Sequence, residues 1–235
     1  IFDIAKLYNK WMIDIQDAQL ESGSIPDLAP TYWPIYTDNT TWPGSYIIIS
    51  SMLYDQYGDL AAVKKHYPSM KKWIDHMSQY IVDGIMTKDT YGDWCVPPRN
   101  NKLIHTNDPS RTTGAEYIGT AYFTFELKLM ARFARLVNKP DEARIFEKRA
   151  EQMKNAFNKK FLNEMPVSYG NNSQTSSVLA LAFRLVPEKH EKKIFENLVE
   201  KIMGESDGHV GTGLIGCQWL MRVLTENGRP DIAYK

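Results

Sequence analysis

Two tryptophans that adjoin chain-breaking segments are the residues best suited to ligand binding. Trp42 stands directly before Pro43 and Gly44 at the start of an apolar helix, and Trp94 lies in the segment YGDWCVPP ahead of a Pro-Pro pair. An indole offers a flat apolar face and one N–H donor, which suits stacking on the C–H face of a sugar or another half-apolar ligand. Core packing is the alternative for any tryptophan, and we assign it to Trp11, Trp73 and Trp219.

Carboxylates and one histidine accompany these tryptophans. Asp38 and Asp93 are the acidic residues nearest to them and could act as an acid, a base or a ligand for hydroxyl groups, although loop carboxylates more often cap turns. Asp108, in NDPSRTT, is typical of the start of a helix. His209, in DGHVGTG, could donate to a ligand or bond to local backbone. We therefore name Trp42, Trp94, Asp93 and His209 as candidate substrate-binding residues.

Other kinds of chemistry have no sequence signal. We find no metal-ligand spacing, no Gly-rich phosphate loop and no nucleophile turn, so no metal or cofactor is predicted. Cys95 and Cys217 are too few and too far apart for a disulfide framework or a zinc site, which leaves open a single pair. The remaining helix-borne histidines, His66, His76 and His190, are predicted to lie at the surface.

Composition limits the partners. Lysine plus arginine and aspartate plus glutamate number 28 each in 235 residues, so no global charge attracts nucleic acid or an acidic membrane. No apolar run approaches the roughly 20 residues of a membrane span. The chain starts and stops close to helices, so we expect a piece of a longer protein, and its localisation stays open between cytoplasm, periplasm and secretion.

Helical periodicity predicts eight helices and the start of a ninth at 229 or 230. They cover about 1–20, 43–56, 60–82, 113–137, 141–160, 173–186, 188–203 and 212–226. Helices that are apolar nearly all round, such as that containing YIIISSMLY, alternate with helices that carry one apolar stripe and one charged face. This alternation indicates inner helices that are buried on every side and outer helices that cover them.

Connection lengths follow the same alternation. Short turns at Gly58, Lys139 and Pro187 lead to outer helices, whereas long loops lead to inner ones. In up-and-down hairpins every second connection lies at the same end, so the long loops are predicted to share one rim, at the N-termini of the inner helices. These loops contain Trp42, Trp94, Tyr169 and His209.

Six segments, in order, resemble the catalytic domain of bacterial α-L-rhamnosidases, glycoside hydrolase family 78. They are QLESGSIPDLAP with Trp42, YGDW, DPSRTTG followed by TAYF, SQTSSVLAL, GHVGTGLIG and VLTENGRPDIAYK. The likeness covers the whole chain. One departure is that most relatives have Trp-Gly-Asp where this chain has Trp42, Pro43 and Gly44, so a carboxylate often found there is missing.

The resemblance implies an (α/α)6 toroid of alternating inner and outer helices, of which residues 1–235 would be the central, incomplete part. It further implies removal of terminal α-linked L-rhamnose from a glycan or glycoside with inversion, by a general acid and a general base. Both groups would lie outside this chain, which would be inactive alone, and other domains of the parent protein would be its partners. Trp42 and Trp94 match the two tryptophans that bound the rhamnose in relatives.

Two alternatives remain open from the residues. Another (α/α)6 enzyme, such as a different glycosidase, a lyase or a sugar epimerase, would share the fold. A helical-repeat binding scaffold is the other alternative, although the sequence shows no constant repeat period.

Overall fold

Nine α-helices and two short β-hairpins make up the part of the chain that the computed structural model describes, residues 3–98, 105–106 and 108–234. The helices are α1 (Ala5–Asp17), α2 (Ser45–Tyr57), α3 (Leu60–Met77), α4 (Ala115–Leu136), α5 (Pro140–Phe161), α6 (Gln174–Ala182), α7 (Glu188–Glu200), α8 (Leu214–Glu226) and α9 (Pro230–Ala233). The strands are β1 (Ile81–Val82), β2 (Ile85–Met86), β3 (Leu162–Glu164) and β4 (Val167–Tyr169). The predicted all-α class is confirmed.

Local signals set the helix ends. Gly58 ends α2 in the left-handed region, at φ 69°, which glycine adopts without strain. Asp59 then caps α3, since its side chain accepts the backbone N–H of Ala62 at 3.0 Å. Arg184, at φ 53°, turns the chain after α6, which therefore ends at Ala182 and not near the predicted residue 186.

Two β-hairpins occupy segments predicted to be helix end or loop. β1 and β2 pair antiparallel, with Ile81 opposite Met86. Asp83 and Gly84 connect them, both at positive φ, which is the Asp-Gly turn that suits the twist of a tight hairpin. The predicted third helix was therefore too long, because α3 ends at Met77. The second hairpin pairs Leu162 with Tyr169.

The chain divides into two compact units, which we describe separately. Unit 1 comprises residues 1–90 and 122–153. Its apolar core combines α1, α2 and α3 with the α4 and α5 residues of the unit, and Tyr46, Trp73 and Phe123 are fully buried in it. The α3 stripe predicted to face inward is buried throughout, at Val63, Tyr67, Met70, Ile74 and Met77.

Unit 2 comprises residues 91–121 and 154–235. Aromatic rings pack tightly in its interior: the ring centroids of Tyr117 and Phe157 are 4.7 Å apart, and those of Phe183 and Trp219 are 5.0 Å apart. The apolar helix α6 carries a run of buried residues from Gln174 to Ala180 and packs against α7 and α8. This burial matches the predicted character of an inner helix.

None of the helices described here is both long and apolar enough to cross a membrane. Among the same residues, no group of three or more His, Cys, Asp or Glu side chains is placed to hold a metal ion. Cys95 and Cys217 are free thiols, so the pair left open by the sequence does not form a disulfide.

Candidate functional site

Trp94 combines an accessible side chain with a fixed backbone. Its side chain is 48% exposed, and its ring lies near that of Tyr91, with centroids 6.3 Å apart. Its carbonyl oxygen accepts the N–H of Leu214, the first residue of α8, at 2.8 Å. The N-terminus of α8 therefore anchors the turn from which this indole projects.

Asp93 provides the second anchor. One carboxylate oxygen accepts the Thr175 hydroxyl at 2.5 Å and the Gly213 N–H at 3.0 Å. A Cβ atom on Gly213 would lie 2.7 Å from the other carboxylate oxygen, so only glycine permits this approach. Gly213 in GHVGTG is thus explained by close packing of the start of α8 against the loop of Trp94, whereas Gly211 lies against the Gln174 side chain.

The sequence placed Asp93 among the sugar ligands, but the structure buries it, leaving 5% of the residue exposed. Burial raises the pKa of this carboxyl, and the hydrogen bonds from Thr175 and from the Gly213 backbone offset that rise only in part. The chain's own donors bind one oxygen of the carboxylate, which ties the Trp94 turn to α6 and to the start of α8. The sequence could not reveal this, since Thr175 and Gly213 are distant along the chain.

His209 is exposed, and local backbone holds it in place. Its N–H donates to the Ser206 carbonyl at 2.8 Å, and its own carbonyl accepts the Gln174 side chain at 3.4 Å. Gln174 also accepts the Gly211 N–H at 2.8 Å. The loop of His209 is thus attached to the first turn of α6, with the imidazole left accessible.

Long loops of unit 2 meet one another, as the predicted shared rim requires. The Asn171 side chain donates to the carbonyls of Pro109 and Thr112, at 2.9 and 2.8 Å. The hydroxyls of Thr113 and Ser173 are 2.6 Å apart. With the bonds from Gln174 and Asp93, these contacts gather the loops of Trp94, Tyr169 and His209 at the start of α6 and α8. For unit 2 the prediction is confirmed; the place of the Trp42 loop relative to them stays a prediction.

In unit 1, Trp42 is half-buried on a turn that Asn39 organises. Asn39 is fully buried, and its side-chain oxygen accepts the backbone N–H groups of Thr41 and Trp42, at 2.8 and 3.2 Å. Its amide nitrogen donates to Asp89. The Trp42 carbonyl in turn accepts the Ser45 N–H at 3.1 Å, which joins the turn to the start of α2. Sequence reasoning missed Asn39 and Asp89.

Asp38, considered above as an acid, base or hydroxyl ligand, is occupied by three neighbours. The hydroxyls of Ser24 and Tyr80 donate to it at 2.6 Å each, and His76 Nε2 lies 3.0 Å from it. Burial raises the pKa of this carboxyl, but these partners outweigh burial and bring it below its ordinary value. Asp38 therefore holds together the loop before Trp42 and the end of α3.

Two of the three histidines predicted at the surface instead make contacts within unit 1. His76 faces Asp38, and His66 is 1% exposed with its Nδ1 2.7 Å from the Tyr46 hydroxyl. Burial, aided by Lys65, lowers the pKa of His66 to about 4. The prediction for His66 was wrong because Val63, Tyr67 and Met70 define a wide buried stripe that reaches it.

Asp108, predicted at a helix start, instead caps the turn before α4, where it accepts the Ser110 N–H at 2.9 Å.

Glu126, which the sequence did not single out, is a fully buried acid in α4. A Cβ atom on Gly44 would lie less than 3.0 Å from both Glu126 Oε1 and the Thr40 carbonyl oxygen. Burial holds the pKa of Glu126 well above its ordinary value, and the Trp73 indole counteracts this only in part. The turn that carries Trp42 therefore packs directly on a buried acid.

Two cavities of the described residues do not include Trp42 or Trp94. A polar cavity of about 210 Å³ in unit 2 is lined by Arg111, Asn171, Gln174 and Ser206, whose side chains bond within the chain. A larger cavity in unit 1, about 730 Å³, follows α3 along Lys71, Lys72 and His76 and does not include Trp42. The exposed indole of Trp94 is thus the better binding candidate.

The described chain consists of helical hairpins whose long loops present anchored aromatic side chains, an arrangement that suits carbohydrate binding. All 235 residues match the model of the bacterial α-L-rhamnosidase six-hairpin glycosidase domain, and the chain belongs to that family.

Relatives agree with this assignment. The chain is 31% identical to an α-L-rhamnosidase of Formosa agariphila over 99% of its length and 24% of the relative's. Among solved structures, an α-L-rhamnosidase from Dictyoglumus thermophilum is 34% identical with a TM-score of 0.89. The match covers 99% of this chain and 26% of the solved chain. The Streptomyces avermitilis enzyme, solved with L-rhamnose, is 27% identical with a TM-score of 0.87, over 98% and 21% of the two chains. The chain thus spans about a quarter of these relatives.

Proposed function

We propose that the protein to which this chain belongs is an inverting α-L-rhamnosidase that removes terminal α-linked L-rhamnose from a glycan or glycoside. Membership of the family and the rhamnosidases among its relatives support the substrate class. In the proposed reaction one carboxylic acid protonates the leaving oxygen while a carboxylate activates water on the opposite face of the sugar. Both groups lie outside residues 1–235 in this proposal.

This chain contributes binding faces for the sugar. The observation that carries the proposal is the 48% exposed indole of Trp94 on a turn anchored at Asp93 and at the start of α8. L-Rhamnose bears a methyl group and C–H faces that stack well on an indole, and an indole already held in place loses little freedom when the sugar binds. Trp42, on the turn held by Asn39, provides a second face.

Polar contacts complete the proposed site. The accessible imidazole of His209 contacts a sugar hydroxyl. Asp93 acts through Trp94, because its carboxylate already accepts the Thr175 hydroxyl and the Gly213 N–H. Proton transfer to and from the substrate is left to the two carboxylates outside the chain, and the reaction needs no cofactor.

The full-length protein tests this directly. It should release the aryl group from an aryl α-L-rhamnoside and leave aryl β-D-glucoside and α-L-fucoside intact. Proton NMR during the first turnovers should show β-L-rhamnose before mutarotation, which is the product of inversion. Residues 1–235 alone should give no turnover. Absence of rhamnoside hydrolysis would refute the activity, and initial release of the α-anomer would refute inversion.

A further inference from the structure

The buried acid Glu126 lies beneath the turn of Trp42 with no ordinary partner. Within the described residues, neither carboxyl oxygen accepts a hydrogen bond of normal geometry, and the nearby Thr40 hydroxyl and Trp73 Nε1 also lack one. A buried carboxylate without a partner is far less stable than a neutral acid. The arrangement therefore calls for a protonated group.

The start of α2 does not offer the N–H groups that would stabilise a charged carboxylate. The Ser45, Tyr46 and Ile47 amides donate to the carbonyls of Trp42, Pro43 and Gly44, each at 3.1 Å. No Lys, Arg or His side chain of the described residues contributes to the pKa of the Glu126 carboxyl, and only the Trp73 indole counteracts the effect of burial. A negative charge here would have neither a cation nor free amides to face.

Glu126 Oε1 and the Thr40 carbonyl oxygen instead lie beside the same position of Gly44. Both lie less than 3.0 Å from the point that a Cβ on Gly44 would take. Two buried acceptors in such proximity repel unless one of them carries a proton, and a neutral carboxyl supplies one O–H donor. The absence of a side chain at Gly44 leaves room for this contact.

We propose that Glu126 is a positioning residue for the sugar-binding face of Trp42, held as a neutral carboxylic acid whose O–H donates to the Thr40 carbonyl. The bond fixes the turn from below while Asn39 fixes it from the side through the Thr41 and Trp42 amides. A loose turn would let the indole leave its stacking position, which weakens sugar binding more than it slows the chemical step. This role rests on the proposed function.

Two variants of the full-length enzyme distinguish the hydrogen-bond donor of the Glu126 side chain from its volume. Glu126→Gln keeps the size and provides an N–H donor for Thr40, so KM for an aryl α-L-rhamnoside and Ki for L-rhamnose should stay within about twofold of wild type. Glu126→Met keeps most of the volume without a donor and should raise both constants roughly fivefold, with a smaller change in kcat. Combined with Trp42→Ala, it should add nothing further, because both changes remove the same face.

The Trp42→Ala variant separates the positioning role of Glu126 from the sugar-binding role of Trp42 on which it rests. If Trp42→Ala raises Ki and Glu126→Met does not, the positioning role is overturned while the sugar face stands. If Trp42→Ala leaves Ki unchanged, the sugar face itself fails.

Infrared spectra decide the protonation state even if the Met variant does not fold. The difference spectrum between wild type and Glu126→Gln at pH 7 should contain the C=O band of a neutral carboxylic acid. Carboxylate bands in its place would overturn the proposal.

Discussion

The Asp93 carboxylate accepts the backbone N–H of Gly213 at 3.0 Å, joining two residues 120 positions apart in the chain. The bond places a loop that carries an exposed tryptophan on the first turn of an inner helix. It also explains why residue 213 has no side chain, because a Cβ there would collide with both Asp93 and Trp94.

Gly213→Ala should therefore disturb the Trp94 turn. The added methyl group must displace the Asp93 carboxylate and the Trp94 carbonyl, an overpacking that costs about 1–3 kcal/mol of unfolding free energy. Gly114→Ala is a matched control in the same unit, since no atom lies within 4 Å of its Cβ position. Urea denaturation should show the loss for Gly213→Ala only, and equal stability of the two variants would contradict the packing argument.

Glu126 should make stability fall as pH rises. Its pKa is raised in the folded protein above the ordinary 4.5, so this contribution is complete below pH 4.5 and is lost as pH rises towards the folded pKa. Glu126→Gln does not titrate. The unfolding free energy of Glu126→Gln should rise relative to that of wild type by up to about 1.4 kcal/mol for each pH unit above pH 4.5. Denaturation at pH 5, 6 and 7 measures the gain, and a constant difference would show that Glu126 is ionised when folded.

His66 should have the opposite effect. Its pKa is lowered from 6.5 to about 4, so its contribution is complete above pH 6.5 and is lost as pH falls through that interval. The loss from pH 7 to pH 4 should be on the order of 3 kcal/mol in wild type and should be absent from His66→Gln. A wild-type loss matched by His66→Gln would refute burial of a neutral imidazole.

Much of the fold was predictable because its signals are local. Gly58 and Asp59 mark a helix end and a helix start in adjacent residues, and the apolar stripe from Val63 to Met77 defines the buried face of α3. The Asp83-Gly84 turn is an equally local signal, but the predicted helix 60–82 covers the strand that precedes it. His66 was misplaced because the width of a buried stripe depends on the helices packed against it.

The candidate site was predictable only in its accessible parts. Trp94 and His209 are exposed in loops, as their positions beside chain-breaking residues indicated. Asn39 donates to Asp89 and Glu126 lies against Gly44, and because these partners are distant in sequence no spacing pattern signals them. Asp93 was recognised as important, but its role depends on Thr175 and Gly213.

Inhibition of the full-length enzyme by L-rhamnose tests the central claim most directly. Trp42→Ala and Trp94→Ala should each raise Ki roughly fivefold, the equivalent of about 1 kcal/mol for one lost stacking face. Trp33→Ala is the control, since that side chain is 64% exposed and we assign it no contact with rhamnose. Its Ki should equal that of wild type. An unchanged Ki in both Trp42→Ala and Trp94→Ala would contradict the assignment of these tryptophans as the sugar-binding faces.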